Sequence, residues 1–541
     1  MSRMNYVPGP QRVGDQNGGG RRVRGGKPQR EGRSGTRADV LRRRAGLVVA
    51  ASAMLLLSAC TTVTQLGLTS TASRRAEASS GGTAGGQPSG PSSASASTTS
   101  TTPASSSPGV TTGTAGSTGS AHAAAASTGS TAAAGTTCTT PVKIGVSYSS
   151  DLAGGLASVG TSSGSTASYF EQEQGVFDAI ANNINAHGGL AGCPIQVVFH
   201  DFLALAADGF SGESQSECVD FAEDQHVFAV IPTTLENKTL VACLAQHGVV
   251  TLFDSDEYAI PAADFETYRG YLYQPDAINV DRWGPYITEL AHMGWLASGD
   301  KVGILEADDG SGSAADLVNN VWVPALKALG FDPVVFTYTE IEGYSDVTSA
   351  TDQMNSAVLQ FKQDGVNRII LPPDGADAVV FFTQLAASQG YEPEYAENNL
   401  SGDQEWSTVP ASEQPGAVDV SYSLANTLSS TGPQPAPSAA RTACADVLSK
   451  YTSSQNGPSA YYVFCDDFNF LQAALAGASA VNPSTLLAGA EKLGCSLQMA
   501  DLYDNACISP GHYDGANEVQ GLQWSVSQNN WEPVGTPVSI P

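Results

Sequence analysis

Residues 142–201 constrain this chain more than any other stretch, because they can hardly be anything but a strand, a helix and a second strand. An apolar run, Val142-Lys143-Ile144-Gly145-Val146, gives way to a Ser/Gly-rich loop ending in Asp151-Leu152-Ala153-Gly154-Gly155. Val176, Phe177, Ile180, Ala181 and Ile184 then recur at helical spacing and leave Gln174, Asp178 and Asn182 for water. Gly188-Gly189 ends that helix, and Ile195-Gln196-Val197-Val198-Phe199 reads as the next strand, parallel to the first through a right-handed crossover.

The unit restarts later in the chain. Lys301-Val302-Gly303-Ile304-Leu305 echoes Lys143-Ile144-Gly145-Val146, and each precedes a polar loop and an amphipathic helix. Strand patterns follow at Val227–Ile231 and Val249–Phe253, and again at Val334–Phe336, Arg368–Leu371, Tyr395-Ala396 and Val418–Val420. Helical patterns lie between them, so the alternation predicts an α/β architecture of two lobes, each a doubly wound sheet.

The amino-terminal part is of another kind. Residues 1–60 hold 12 basic and 3 acidic side chains, against 13 and 50 in the remainder. Arg42-Arg43-Arg44 directly precedes the apolar stretch 45–59, which is too short to span a membrane and fits a signal segment. Leu57-Ser58-Ala59-Cys60 resembles a bacterial lipobox, which implies lipidation of Cys60. Export by the Sec or the twin-arginine route, and the true start of the n-region, stay open. Residues 61–137 are nearly all Ser, Thr, Ala and Gly, with too little apolar area to offset chain entropy. They form a disordered tether with a reach of about 50 Å, or a spacer of untuned length.

Eight cysteines remain after Cys60, an even number in a chain with an export signal, so disulfides are expected. Pairing in order gives Cys138-Cys193, Cys218-Cys243, Cys444-Cys465 and Cys495-Cys507. No CxxC spacing and only scattered histidines argue against zinc.

Asn185-Ala186-His187-Gly188-Gly189-Leu190-Ala191-Gly192 followed by Pro194–Asp201 resembles the "N-GG-xx-G, strand, D" stretch of type I periplasmic solute-binding proteins, in particular the branched-chain amino-acid binding proteins of ABC importers. The resemblance implies a two-lobed type I fold of mainly parallel sheets with three interlobe crossovers, near Pro275–Ile278, Tyr422–Ala425 and Asn517–Gln520. Lobe 1 would take residues 138–277 with 424–517, and lobe 2 residues 278–423 with 518–541. Helices at 439–450, 464–478 and 483–493 would return to lobe 1.

Ligands of open parallel sheets sit beyond the carboxyl ends of the strands. Those positions carry Ser149, Ser150, Asp151, Thr233, Thr234, Asp254 and Ser255 in the first lobe. In the second they carry Asp308, Asp309, Ser311, Asp374, Asp377, Asn398, Asn399 and Ser401. Thr233-Thr234 stands where the resembled family presents hydroxyl and backbone N–H groups to a ligand carboxylate. All these residue types also cap helices, at about 1 kcal/mol each, so the same positions have a purely structural use. The family's second-lobe acid has Asn398 or Asn399 as its counterpart, and its aromatic loop reads Asp309-Gly310-Ser311-Gly312. This departure argues against a leucine-type ligand and suits a cation or a polyol.

Enzyme motifs are weak. Gly160-Thr161-Ser162-Ser163-Gly164 matches G-x-S-x-G but lacks the strand that must precede a nucleophile elbow. Gly310-Ser311-Gly312-Ser313-Ala314-Ala315 matches a dinucleotide turn, with Glu340 as the later acid, but Asp308 and Asp309 beside it would repel a pyrophosphate. Asp466-Asp467 lies in a helical pattern and reads as a solvated face. The acidic remainder argues against nucleic acid and against direct adhesion to anionic lipid. The sequence therefore predicts a lipid-anchored, exported, monomeric binder of a small polar ligand that serves a membrane ABC permease, without cofactor, metal or catalysis. A sensory module of the same fold is the alternative, with a surface hydrolase behind it.

Overall fold

In the computed structural model the described residues are Cys138 and 140–540, less 139, 152–165, 208, 234–236, 254–258, 309, 373–375, 400–402, 425–435 and 452–460. All lie within one compact unit, Thr118–Pro541. The basic segment, the lipobox and the tether fall outside them.

The opening unit is β1 (Val142–Tyr148), α1 (Thr166–Ala186) and β2 (Ile195–Asp201), with β1 and β2 parallel and in register from Val142↔Ile195 to Tyr148↔Asp201. Gly188 and Gly189 both take positive φ where the helix ends. A side chain on Gly189 would fall on the Cys193 carbonyl, so only glycine permits this tight return. The lobe continues through α2 (Gly209–Val219), which runs into a π-helical segment Asp220–Gln225. Next come β3 (Ala229–Ile231), α3 (Lys238–His247), β4 (Val250–Leu252), α4 (Ala262–Thr267) and β5 (Leu272–Tyr273). Its sheet is wholly parallel, in the order β2-β1-β3-β4-β5.

The chain next forms α5 (Gly284–His292) and a second sheet. Its elements are β6 (Val302–Asp308), α6 (Ser313–Asp316), a π segment Leu317–Trp322, α7 (Val323–Ala328), β7 (Val334–Thr339), α8 (Val347–Asp364) and β8 (Arg368–Ile370). After these come α9 (Ala376–Ser388), β9 (Glu394–Asn398) and β10 (Val418–Ser421). Three helices, α10 (Ala439–Leu448), α11 (Tyr462–Ala474) and α12 (Pro483–Ala490), then precede a short ribbon, β11 (Gly494–Leu497) with β12 (Ala506–Ile508). A hairpin, β13 (Glu518–Ser525) and β14 (Asn530–Ser539), closes the chain. The second sheet runs β14-β13-β10-β9-β8-β6-β7, and only the two pairings of β13, with β10 and with β14, are antiparallel.

Without that hairpin the second sheet has the same order as the first: β7-β6-β8-β9-β10 against β2-β1-β3-β4-β5. The sequence echo marks the two inner strands, and its shared glycine has a shared use. A Cβ on Gly145 would sit 2.8 Å from the Phe221 ring, and one on Gly303 would sit 2.9 Å from Val366 and 3.1 Å from the Phe361 ring. In each lobe a missing side chain admits apolar side chains from the layer above.

Helices α10 and α11 pack on α1, with Phe177 and Phe464 at 4.5 Å between ring centroids. Helix α5 lies on β10 and β13, where Trp283, Tyr286, Trp322 and Tyr422 form a buried aromatic stack. The cysteines are joined as Cys138–Cys193, Cys218–Cys243, Cys444–Cys465 and Cys495–Cys507. One expectation is corrected. Asp466 and Asp467 are fully buried on α11, not a solvated face. Asp466 accepts the backbone N–H groups of Ala500 and Asp501, a pair that sequence spacing could not reveal.

Candidate functional site

Two junctions form beyond the carboxyl ends of the parallel strands. At the first, the chain leaves β5 through Gln274-Pro275-Asp276 and runs beside Tyr513–Ala516. Gln274 N–H donates to the Tyr513 carbonyl, Gly515 N–H to that of Gln274, and Ala516 N–H to that of Ala277. A Cβ on Gly515 would fall on the Pro275 carbonyl oxygen. The Asp514 carboxylate, 1% exposed, takes the Arg282 guanidinium and the Asn279 N–H. Nearby, Leu424 N–H donates to the Asp501 carbonyl, so the passage out of β10 is tied down as well.

At the second place the loop after β2 touches the loop after β7. Phe210 N–H donates to the Glu342 carbonyl at 2.8 Å, and Asn237 Nδ2 donates to Glu342 Oε2 at 3.2 Å. Between these two junctions lie the ends of the inner strands, where a ligand of this architecture sits.

The side chains at those ends are polar, and several of them are buried. Ser149 is 1% exposed, and its hydroxyl donates to Asp151 Oδ1 at 3.1 Å. Asp151 is a structural brace: its two oxygens also accept the Ala204 and Leu205 N–H groups and hold the loop after β2. Ser150 is engaged similarly, with its N–H and hydroxyl both on Asp201. The Thr233 hydroxyl donates to the Ser147 carbonyl at 2.6 Å, which leaves its lone pairs available as acceptors.

In the second lobe Asn398 ends β9 and is fully buried beside Tyr286, whose hydroxyl burial pushes well above its ordinary pKa. Asn399 accepts the Tyr422 N–H at 2.6 Å. Ser311 accepts the Ser313 N–H, the local turn that capping chemistry predicts. Asp308 Oδ1 accepts the Gly310 N–H, so a carboxylate fills the place a pyrophosphate would need in a dinucleotide turn. Thr234, Asp254, Ser255, Asp309, Asp374, Ser401 and the Gly160–Gly164 motif lie outside the described residues, and so do the side chain of Asp377 and residue Cys60.

Sequence reasoning missed Ser147, Gln274, Asp276 and Ser421, all at strand ends and at most 3% exposed. The signal was present at Gln274-Pro275-Asp276, a polar triplet directly after an apolar pair. The grouping of Cys218, Cys243 and His247 offers no thiolate to a metal, because its two sulfurs are bonded to each other. Among the described residues no helix is long and apolar enough to cross a membrane.

A family model described as periplasmic binding protein matches residues 155–506. The ABC transporter substrate-binding protein from Desulfitobacterium hafniense in complex with Leu is 17% identical at a TM-score of 0.50, over 73% of this chain and 100% of that one. The leucine binding protein LivK from Thermotoga maritima is 11% identical at 0.52, over 74% and 99%. A fatty acid ABC transporter substrate-binding protein from Thermomonospora curvata is 14% identical at 0.52, over 74% and 92%. At such identities the likeness is one of fold. No curated protein matches the chain.

Proposed function

Because the chain belongs to the periplasmic binding protein family, we propose that it is the lipid-anchored solute-binding protein of an ABC importer, which captures a small polar ligand between its lobes and presents it to a membrane permease. It performs no covalent chemistry. The observation that carries this reading is the band of buried polar groups at the carboxyl ends of the strands: Ser147, Ser149, Gln274, Asp276, Asn398, Asn399 and Ser421. Hydroxyl, amide and carboxyl groups gathered at the strand ends, where open parallel sheets bind ligands, supply the donors and acceptors that a polar ligand needs.

We assign ligand contact to Ser149, Thr233, Thr234, Asn398 and Asn399, with lobe 1 at 138–277 and 424–517 and lobe 2 at 278–423 and 518–541. The solved relatives are named for leucine and for a fatty acid, so the fold itself selects no ligand class. The hydroxyl and amide character of the band favours a polar ligand, with Cys60 as the lipid attachment point and a monomer as the working form.

The test is native mass spectrometry of protein purified without refolding, followed by thermal shift against amino acids, polyols, organic cations and fatty acids. A co-purified small polar compound that raises Tm in proportion to its concentration is the expected result. Stabilisation by fatty acids alone overturns the polar assignment.

A further inference from the structure

The contact between Gly209–Ser211, Asn237 and Glu342-Gly343 is built like a catch. Strand β2 is one edge of the first sheet and β7 one edge of the second. In strand order each stands four places from the strand where the chain crosses over, β5 in one sheet and β10 in the other. At ~4.8 Å per strand the contact is about 19 Å from the crossovers, so a rotation of about 10° would part its two sides by about 3 Å, enough to break a hydrogen bond.

The chemistry points the same way. Phe210 stands in the first turn of α2, where an N–H has no partner inside its own helix. Its partner is the Glu342 carbonyl of the other lobe. Asn237 caps α3 through Oδ1, which accepts the Thr239 N–H, while its Nδ2 reaches Ser211 Oγ and Glu342 Oε2. Gly209 and Gly343 let the two backbones close: a Cβ on Gly343 would lie 3.3 Å from Gly209 Cα, and one on Gly209 would lie 2.8 Å from the Glu342 carbonyl oxygen.

We propose that Phe210, Asn237 and Glu342 form a latch that makes and breaks as the lobes close and open, and so sets how much of the ligand-free protein is closed. This rests on the solute-capture reading given above. A ligand held by closure binds with an apparent affinity scaled by the closed fraction, so weakening the latch loosens every ligand by the same factor, about five- to tenfold.

The test is hydrogen exchange at single-residue resolution on the full-length chain without ligand. The Phe210 amide is expected to exchange at least about tenfold more slowly than in an unstructured peptide. Asn237→Asp keeps the capping oxygen but sets a second carboxylate against Glu342. It is expected to speed Phe210 exchange about tenfold while the Val230 and Ile370 amides in the sheets keep their rates. Glu342→Gln in that background is expected to restore protection. Phe210 exchanging at the free rate in the unaltered chain, or unmoved by Asn237→Asp, overturns the latch. Because no ligand is added, a failure of the solute-capture reading appears separately, as a thermal-shift panel without a stabilising compound.

Discussion

Two junctions, one at the crossovers and one between the loops after β2 and β7, are built from opposite materials. At the crossovers, backbone meets backbone: Gln274 and Gly515 exchange hydrogen bonds with their neighbours across the junction, and Asp514 is buried between Arg282 and the Asn279 N–H. The backbone N–H and carbonyl groups of the two segments bond one another there, in a buried setting where water competes poorly. At the latch the side chains are half-buried or exposed, two hydrogen bonds cross the junction, and the Asn237 and Glu342 groups have water as an alternative partner. In a protein that opens and closes as proposed, the first junction would turn without parting and the second would part at small cost.

The widest separation between the two is expected from Gly515→Val. Its side chain must displace the Pro275 carbonyl, a backbone group already fixed by the crossover. No rigid movement of the lobes relieves that clash, so the fold loses about 3 kcal/mol or more. Urea unfolding measures it. A loss below about 1 kcal/mol would mean that the crossover has slack the geometry denies.

Most of the frame was legible in the sequence because alternation and repetition are local signals. Val142–Asp201 could be read as a parallel unit, and the Lys-x-Gly echo located the second sheet's inner strand. Strand β5 was missed because Leu272-Tyr273 is two residues long and shows no period. Asp466 was misread for a deeper reason: an acid on a helix is normally solvated, and its burial depends on amides arriving from Ala500 and Asp501, more than thirty residues on. The contact of Phe210 and Asn237 with Glu342 had no sequence signal either, since Gly209 and Asn237 are ordinary helix-start residues and Glu342 an ordinary loop residue. Loop positions after strands were readable, but a fully buried Ser147 or Gln274 looks no different in sequence from an exposed one.

Asp466 supplies a smaller test, because it braces the loop whose Asp501 carbonyl holds Leu424 at the second crossover. Burial pushes its carboxyl up to about 8, against the opposing pull of the Ala500 and Asp501 N–H groups. The folded protein thus binds this proton more tightly than the unfolded chain. The stability it lends is complete below the unfolded pKa and drains as pH climbs to about 8, at about 1 kcal/mol per pH unit between pH 6 and 8. The Leu424 amide should lose protection over that range while Phe210 at the mouth does not. In Asp466→Asn the slope should flatten, whatever the level of stability. An unchanged slope would remove the crossover's dependence on this carboxyl.

The smallest effect on stability is expected from Gly209→Ala, and its smallness is the informative part. Gly209 has φ +72, where a Cβ is strained, and the added methyl would meet the Glu342 carbonyl oxygen at 2.8 Å. Taken alone this resembles the clash at Gly515. The latch proposal separates the two cases: lobes that swing apart here would carry the methyl away from its obstacle, and only the local strain of about 1 kcal/mol is then expected in the unfolding free energy. The rest should appear as shape: a larger radius of gyration by small-angle scattering in the ligand-free protein. If Gly209→Ala instead destabilised the fold as much as Gly515→Val with no change in dimensions, the mouth would be as rigid as the crossover, and the contrast between pivot and latch would collapse.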